Sequence, residues 1–222
     1  YGPESTLDKF WRKFIPSYPP KSGKLYKRLD MPTILDGDDI SVAIYAGEGS
    51  RLALNLEARL ADMDRSKLFA FAVIADSDKK TPSKVTSDYK DSFDEILPNF
   101  PDEPGAIISG DIRLGIYVLP DNKSQGVLDT VLCQCGAIAY PDSMEKAAEY
   151  LNYFSADKRR EIGAKWKPFD YEKAQVATVV SILKPGKTNT VSIADNKWVS
   201  EETLDRIPAL KQLNVFLREL LD

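Results

Sequence analysis

The chain has 222 residues, of which 43% are hydrophobic and 29% charged, with a formal charge of −4. That describes an ordinary soluble globular protein, long enough for one large α/β domain or one domain with an appended helical subdomain. The acidic balance gives no general affinity for nucleic acid or anionic membrane, and no apolar run approaches the roughly 20 residues that cross a bilayer.

Histidine is absent, which excludes His general bases, Ser-His-Asp triads and His-ligated zinc. Cys133 and Cys135 are the only cysteines. Two thiols do not close a four-ligand zinc site, and they are expected to be small hydrophobes in the reduced core of a cytoplasmic protein. Carboxylate, lysine, arginine, hydroxyl and backbone chemistry remain. The chain opens on Tyr1 with no signal-peptide pattern, as expected of a fragment or of a chain that has lost upstream residues.

Residues 5–15 predict a helix: Ser5-Thr-Leu-Asp8 fits a capping box, and Leu7, Phe10, Trp11, Phe14 and Ile15 share one stripe before Pro16. Residues 9–28 hold Lys9, Arg12, Lys13, Lys21, Lys24, Lys27 and Arg28 with no acid, interleaved with Phe10, Trp11, Phe14, Tyr18 and Tyr26. Basic residues among aromatics fit single-stranded nucleic acid, while the helical stripe fits a core with a solvated basic face; the second reading is the one expected.

Asp36-Gly-Asp-Asp39 is a turn cluster, and Ile40–Tyr45 reads as a strand ending in Gly47-Glu48-Gly49. Such glycines allow either a tight strand-to-helix turn or close approach to a ligand. A helix follows over about 50–63. Leu68–Ala75, eight apolar residues, then reads as a strand buried on both faces, ending in Asp76-Ser77-Asp78. At the carboxyl edge of a parallel sheet, Asp76 and Asp78 stand near enough to share a hard cation such as Mg²⁺; alternatively one of them caps the next helix.

Residues 82–97 predict a helix between two prolines. A short strand then leads past Gly110-Asp111 into a core strand at 114–119, which ends in Pro120-Asp121-Asn122. A helix starts near Ser124, with Gly126 and Asp129 in its first turns. This alternation predicts a mostly parallel sheet flanked by helices over 1–140, with its polar strand ends at one edge. Helical periodicity at 143–154, 157–165, 170–184 and 203–221 predicts a helical C-terminal subdomain, 141–222, packed on that core.

The order Gly47-Glu-Gly49, then Val73-Ile-Ala-Asp76-Ser-Asp78, then Tyr117-Val-Leu-Pro-Asp121-Asn122-x-x-x-Gly126-x-x-Asp129 resembles a TOPRIM-like family over nearly the whole chain. It is similar to a group of uncharacterised prokaryotic-type proteins carried as a domain of unknown function. TOPRIM domains of topoisomerases, primases and overcoming-lysogenization-defect nucleases use a glutamate after the first strand and an Asp-x-Asp after a later one. The resemblance implies Mg²⁺ on Asp76 and Asp78. With Gly2 in register, Tyr1 stands where that family carries the glutamate, so Glu4 and Glu48 become the candidate bases.

Three functional readings follow. One is Mg²⁺-dependent phosphodiester or nucleotide chemistry, with Asp76, Asp78, Asp121 and Asp129 as metal ligands and Glu4 or Glu48 as catalytic base. Another is a non-catalytic binding or structural role on a degenerate TOPRIM-like scaffold. A third, nucleic-acid adaptor, reading would use residues 9–28 and no metal. No membrane partner is expected.

Overall fold

The structure, a computed structural model, describes residues 10, 11, 14, 32–47, 52–61 and 63–222. It has an α/β architecture divided into two compact units, residues 1–69 with 92–98, and residues 70–91 with 99–222.

In the first unit, β1 (Thr33–Asp36) and β2 (Ser41–Ile44) pair antiparallel, with Thr33 opposite Ile44 and Asp36 opposite Ser41. The predicted turn cluster joins them, and the Gly37 N–H donates to the Ile40 carbonyl at 2.9 Å. The strand expected over 40–45 therefore exists, but as half of a hairpin and not as a member of a parallel sheet. A four-residue connection brings the chain straight back on itself, which only antiparallel pairing allows.

Helix α1 (Leu52–Ala61) buries Ala53, Leu56 and Leu60. A Cβ on Gly47 would lie 2.6 Å from Leu52 Cδ1, so this glycine accommodates the packing of the helix start. Trp11 and Phe14 are buried; the Trp11 indole N–H donates to Ser41 Oγ at 2.9 Å, and Phe14 meets Tyr45 edge-on. These aromatics serve the core. The rest of the 5–15 helix and the cations of the 9–28 segment lie outside the described residues, as do Tyr18 and Tyr26.

In the second unit, β3 (Ala70–Asp76), β4 (Ile107–Ile108) and β5 (Arg113–Leu119) form a sheet in the order β3-β5-β4. β3 runs parallel to β5, with Ala70 opposite Arg113 and Asp76 opposite Leu119, while β4 is antiparallel. The expected mostly parallel sheet is thus corrected, among the described residues, to mixed sheets with one parallel pair. The segment around Gly110-Asp111 is too short for a crossover, so β4 and β5 pair as a hairpin. β3 is also not buried on both faces. Among the described residues it lies at an edge, with Val73 and Ala75 buried but Ile74 46% exposed, and the strand enclosed from Leu114 to Leu119 is β5.

Helix α2 (Pro82–Phe93) follows β3 and ends four residues before its predicted limit. Seven further helices follow β5: α3 (Leu128–Ala139), α4 (Pro141–Tyr153), α5 (Ala156–Glu161), α6 (Asp170–Leu183), α7 (Asn189–Asp195), α8 (Glu201–Arg206) and α9 (Pro208–Leu221). The single helix predicted over 203–221 is two, because Pro208 cannot continue α8 and instead starts α9 at its first position. Gly163, at φ +73°, sits just past the end of α5, short of the predicted limit. Gly126 precedes α3 instead of lying within it.

The helices share one core with β5. Tyr117 and Leu119 pack among Val131, Cys135, Val179, Trp198 and Phe216, and each fully buried large apolar side chain there contributes about 1.5–3 kcal/mol. The Tyr117 hydroxyl donates towards the carbonyls of Ala209 (3.2 Å) and Pro120 (3.4 Å), tying β5 to the start of α9. No helix among the described residues is long and apolar enough to cross a membrane.

Candidate functional site

Because β3 and β5 are parallel and in register at Asp76 and Leu119, both strands deliver their polar ends to one edge of the sheet. Asp76 is the last residue of β3, and one of its carboxylate oxygens accepts the Leu128 N–H at 2.8 Å, at the start of α3. The positive end of the helix favours a carboxylate there. The alternative that Asp76 caps the helix following it is thus corrected: it meets the start of α3 across a long stretch of chain, while Thr81 accepts the Lys84 N–H at 3.3 Å at the start of the next helix.

Ser77, between the two aspartates, is 1% exposed. Its hydroxyl oxygen accepts the Gly126 N–H at 2.7 Å, and its N–H donates to the Leu119 carbonyl at 3.3 Å. The Asp78 N–H donates to the Gly126 carbonyl at 2.9 Å, with Asp78 at φ +50°, a conformation Asp tolerates better than most residues. A Cβ on Gly126 would come within 2.9 Å of Pro120 Cδ and 3.1 Å of Thr130 Oγ1, so only glycine fits between these segments without displacement.

The Leu-Pro-Asp-Asn segment builds the loop from within. Asp121 Oδ1 accepts the N–H groups of Lys123 (3.0 Å) and Ser124 (2.7 Å), and its Oδ2 accepts the Ser124 hydroxyl at 3.0 Å. Partial burial would raise its pKa, but these hydrogen bonds outweigh that and hold Asp121 below the usual carboxylate range. Asn122 Oδ1 accepts the Val118 N–H at 2.7 Å. The aspartate expected to be a metal ligand thus spends its oxygens on its own turn.

Asp129 lies in the first turn of α3. Burial raises the pKa of Asp76; the Leu128 hydrogen bond partly offsets this, the negative charges of Asp78 and Asp129 add to the rise, and Lys173 opposes it. Asp129 is likewise raised, by burial first, with Lys173 opposing and Glu172 adding. The charges of Asp78 and Asp129 thus both act on Asp76, whereas those acting on Asp129 are Lys173 and Glu172. Among the described residues, no three His, Cys, Asp or Glu side chains gather so as to hold a metal ion by themselves. Glu4 and Glu48 lie outside the described residues.

Ser77, Gly126 and Lys173 belong to this region without having been singled out as its functional residues. A small hydroxyl between two acids on a strand end was the available signal for Ser77. Lys173 arrives from a helix almost a hundred residues downstream and left none. The cysteines are free; burial foremost pushes Cys133 up to about 12 and Cys135 up to about 11, so both thiols are protonated at neutral pH.

A family model described as "Protein of unknown function (DUF3226)" matches residues 22–222. No curated protein and no solved structure matches the chain.

Proposed function

From the premise that the chain belongs to this DUF3226 family, we propose that the end of the parallel strand pair binds a divalent cation such as Mg²⁺ and uses it on a phosphodiester or nucleotide, in the manner of a TOPRIM-like site. The observation that carries this reading is that Asp76, at the carboxyl edge of the parallel pair β3 and β5, feels the negative charges of both Asp78 and Asp129. A partly desolvated carboxylate with other acids beside it gains from a hard cation.

The donor set fits Mg²⁺ in its usual form. Mg²⁺ keeps several waters and is commonly held by one or two carboxylates together with substrate phosphate oxygens, not by a cage of protein ligands. Asp78 and the second oxygen of Asp76 are the donors for it; Asp121 is not, because its carboxylate closes the turn at Ser124. When bound, such a cation supplies Lewis-acid stabilisation of phosphoryl oxygens and a water of lowered pKa. The Leu128 N–H fixes the direction of Asp76, Ser77 and Gly126 hold the two chain ends together, and Lys173 carries a positive charge to the same region.

The test is hydrolysis of a p-nitrophenyl ester of thymidine monophosphate by the full chain with Mg²⁺ or Mn²⁺. Metal-dependent turnover that falls at least a hundredfold in Asp78→Asn supports the reading; turnover equal in parent and variant refutes it.

A second reading, a non-catalytic scaffold, is favoured by one observation: Asp76 already has a structural task at the start of α3. On that reading neither a metal response nor turnover exists, and Asp76→Asn is neutral in every assay except stability.

A further inference from the structure

We infer that the exposed aromatic and basic surface around α5 binds single-stranded nucleic acid. Residues 158–167, Lys-Arg-Arg-Glu-Ile-Gly-Ala-Lys-Trp-Lys, carry five cations and one acid in a chain whose formal charge is −4. Their positions are set by local structure. Ser155 caps α5 by accepting the Lys158 N–H, and Gly163 ends the helix in the left-handed region. The chain then returns, so that the Arg159 guanidinium lies 4.4 Å from the Trp166 ring centroid. A cavity of about 350 Å³ opens there, lined by Arg159, Arg160, Lys165 and Trp166.

Beside it, at the end of α4, Tyr150 and Tyr153 are 58% and 63% exposed, and Lys158 Nζ stands 3.4 Å from the Tyr153 ring centroid. The core does not use these two rings. Solvated aromatic rings alternating with cations are what a single strand needs: stacking platforms for bases and charges for the phosphates between them. A bilayer is the poorer fit, since α5 is six residues long and has no buried residue, leaving no amphipathic face to insert.

Trp166 packs at 6.3 Å on Tyr171, in the first turn of α6. The inference does not rest on metal binding at Asp76 and Asp78, because stacking and phosphate contacts need no cation. It goes beyond the proposed chemistry by assigning a second surface and its ligand class.

Fluorescein-labelled 20-mers of oligo(dT) and oligo(U) are titrated with the full chain in EDTA at 50 and 200 mM NaCl. About four phosphate contacts imply a log–log salt slope of roughly −3, so binding weakens about 50-fold across this range. In Arg160→Gln/Lys165→Gln/Lys167→Gln, built on exposed side chains, the slope falls towards about −1. In Tyr153→Ser the slope stays and affinity falls at least about fivefold. Circular dichroism confirms that both variants keep their helices. No oligonucleotide binding at 50 mM, binding that neither variant changes, or binding to phosphatidylserine vesicles without binding to oligonucleotides would each overturn the inference. Because EDTA is present, failure here leaves the metal site unaffected, and failure of the metal site leaves this result standing.

Discussion

One oxygen of Asp76 accepts the Leu128 N–H at 2.8 Å, so the last residue of β3 fastens the first turn of α3 from 52 positions away. The same carboxylate is partly desolvated and is repelled by Asp78 and Asp129. It therefore stabilises as an acceptor and destabilises as a charge, and substitution separates the two. Asp76→Asn keeps an acceptor and removes the charge, so its melting temperature at pH 7 is expected to equal or exceed the parent's. Asp76→Ala loses the hydrogen bond as well and is expected to fall about 1 kcal/mol below Asp76→Asn, roughly 2–4 °C in a chain of this size. Thermal denaturation of the three proteins checks this; Asp76→Asn melting below Asp76→Ala would contradict it.

The pH dependence follows from the direction of the shift. Folding raises the pKa of Asp76, so between the ordinary value of 3.8 and the raised one the native state holds more proton than the unfolded chain. Stability from this group is thus lost as pH rises through that window and is constant above it. Asp129, also raised, has the same sign. Any excess stability of Asp76→Asn over the parent at pH 7 is expected to shrink as pH falls through the window and to vanish below about pH 3.5. Urea melts at several pH values measure it, and an excess that grows on acidification would refute it.

Ser77 closes the site from beneath. Replacing it by alanine leaves the Gly126 N–H without its 2.7 Å acceptor in a buried setting, at an expected cost of about 1–3 kcal/mol. Gly126→Ala should cost a similar amount, because the new methyl meets Pro120 at 2.9 Å. Denaturant midpoints of the two variants check both values; unchanged midpoints would mean that the two strand ends are not held together here.

Much of this edge was legible in the sequence. The run into Asp76-Ser-Asp78 marked β3, the residues up to Leu119 marked β5, and their parallel pairing followed from the intervening helix. What the sequence hid is tertiary. The apolar run of β3 looked buried on both faces, but sheet position, which no local pattern encodes, puts β3 at the edge among the described strands. Asp121 looked equivalent to Asp76, yet the difference between a carboxylate with one oxygen bonded to a distant helix and one that closes its own turn depends on Ser124, three residues on. Lys173 joins the site only because α6 packs against α3.

The thiols supply an independent check of the core. With Cys133 pushed up to about 12 and Cys135 to about 11, iodoacetamide at about pH 8 is expected to leave both unmodified over an hour in the native protein and to alkylate both in 6 M guanidinium. Mass spectrometry reads the adducts, and rapid native alkylation of Cys135 would contradict the packing around Trp198 and Val179.

The measurement that bears most directly on the proposed function is the effect of Mg²⁺ on unfolding of the parent and of Asp76→Asn/Asp78→Asn. A cation bound to the folded chain alone stabilises it by about 2.7 kcal/mol at a hundred times its Kd. The parent is therefore expected to melt several degrees higher in Mg²⁺, in a saturable manner, and the double variant to show no shift. Equal shifts in the two proteins, or none in the parent up to about 20 mM Mg²⁺, would contradict a metal site on Asp76 and Asp78.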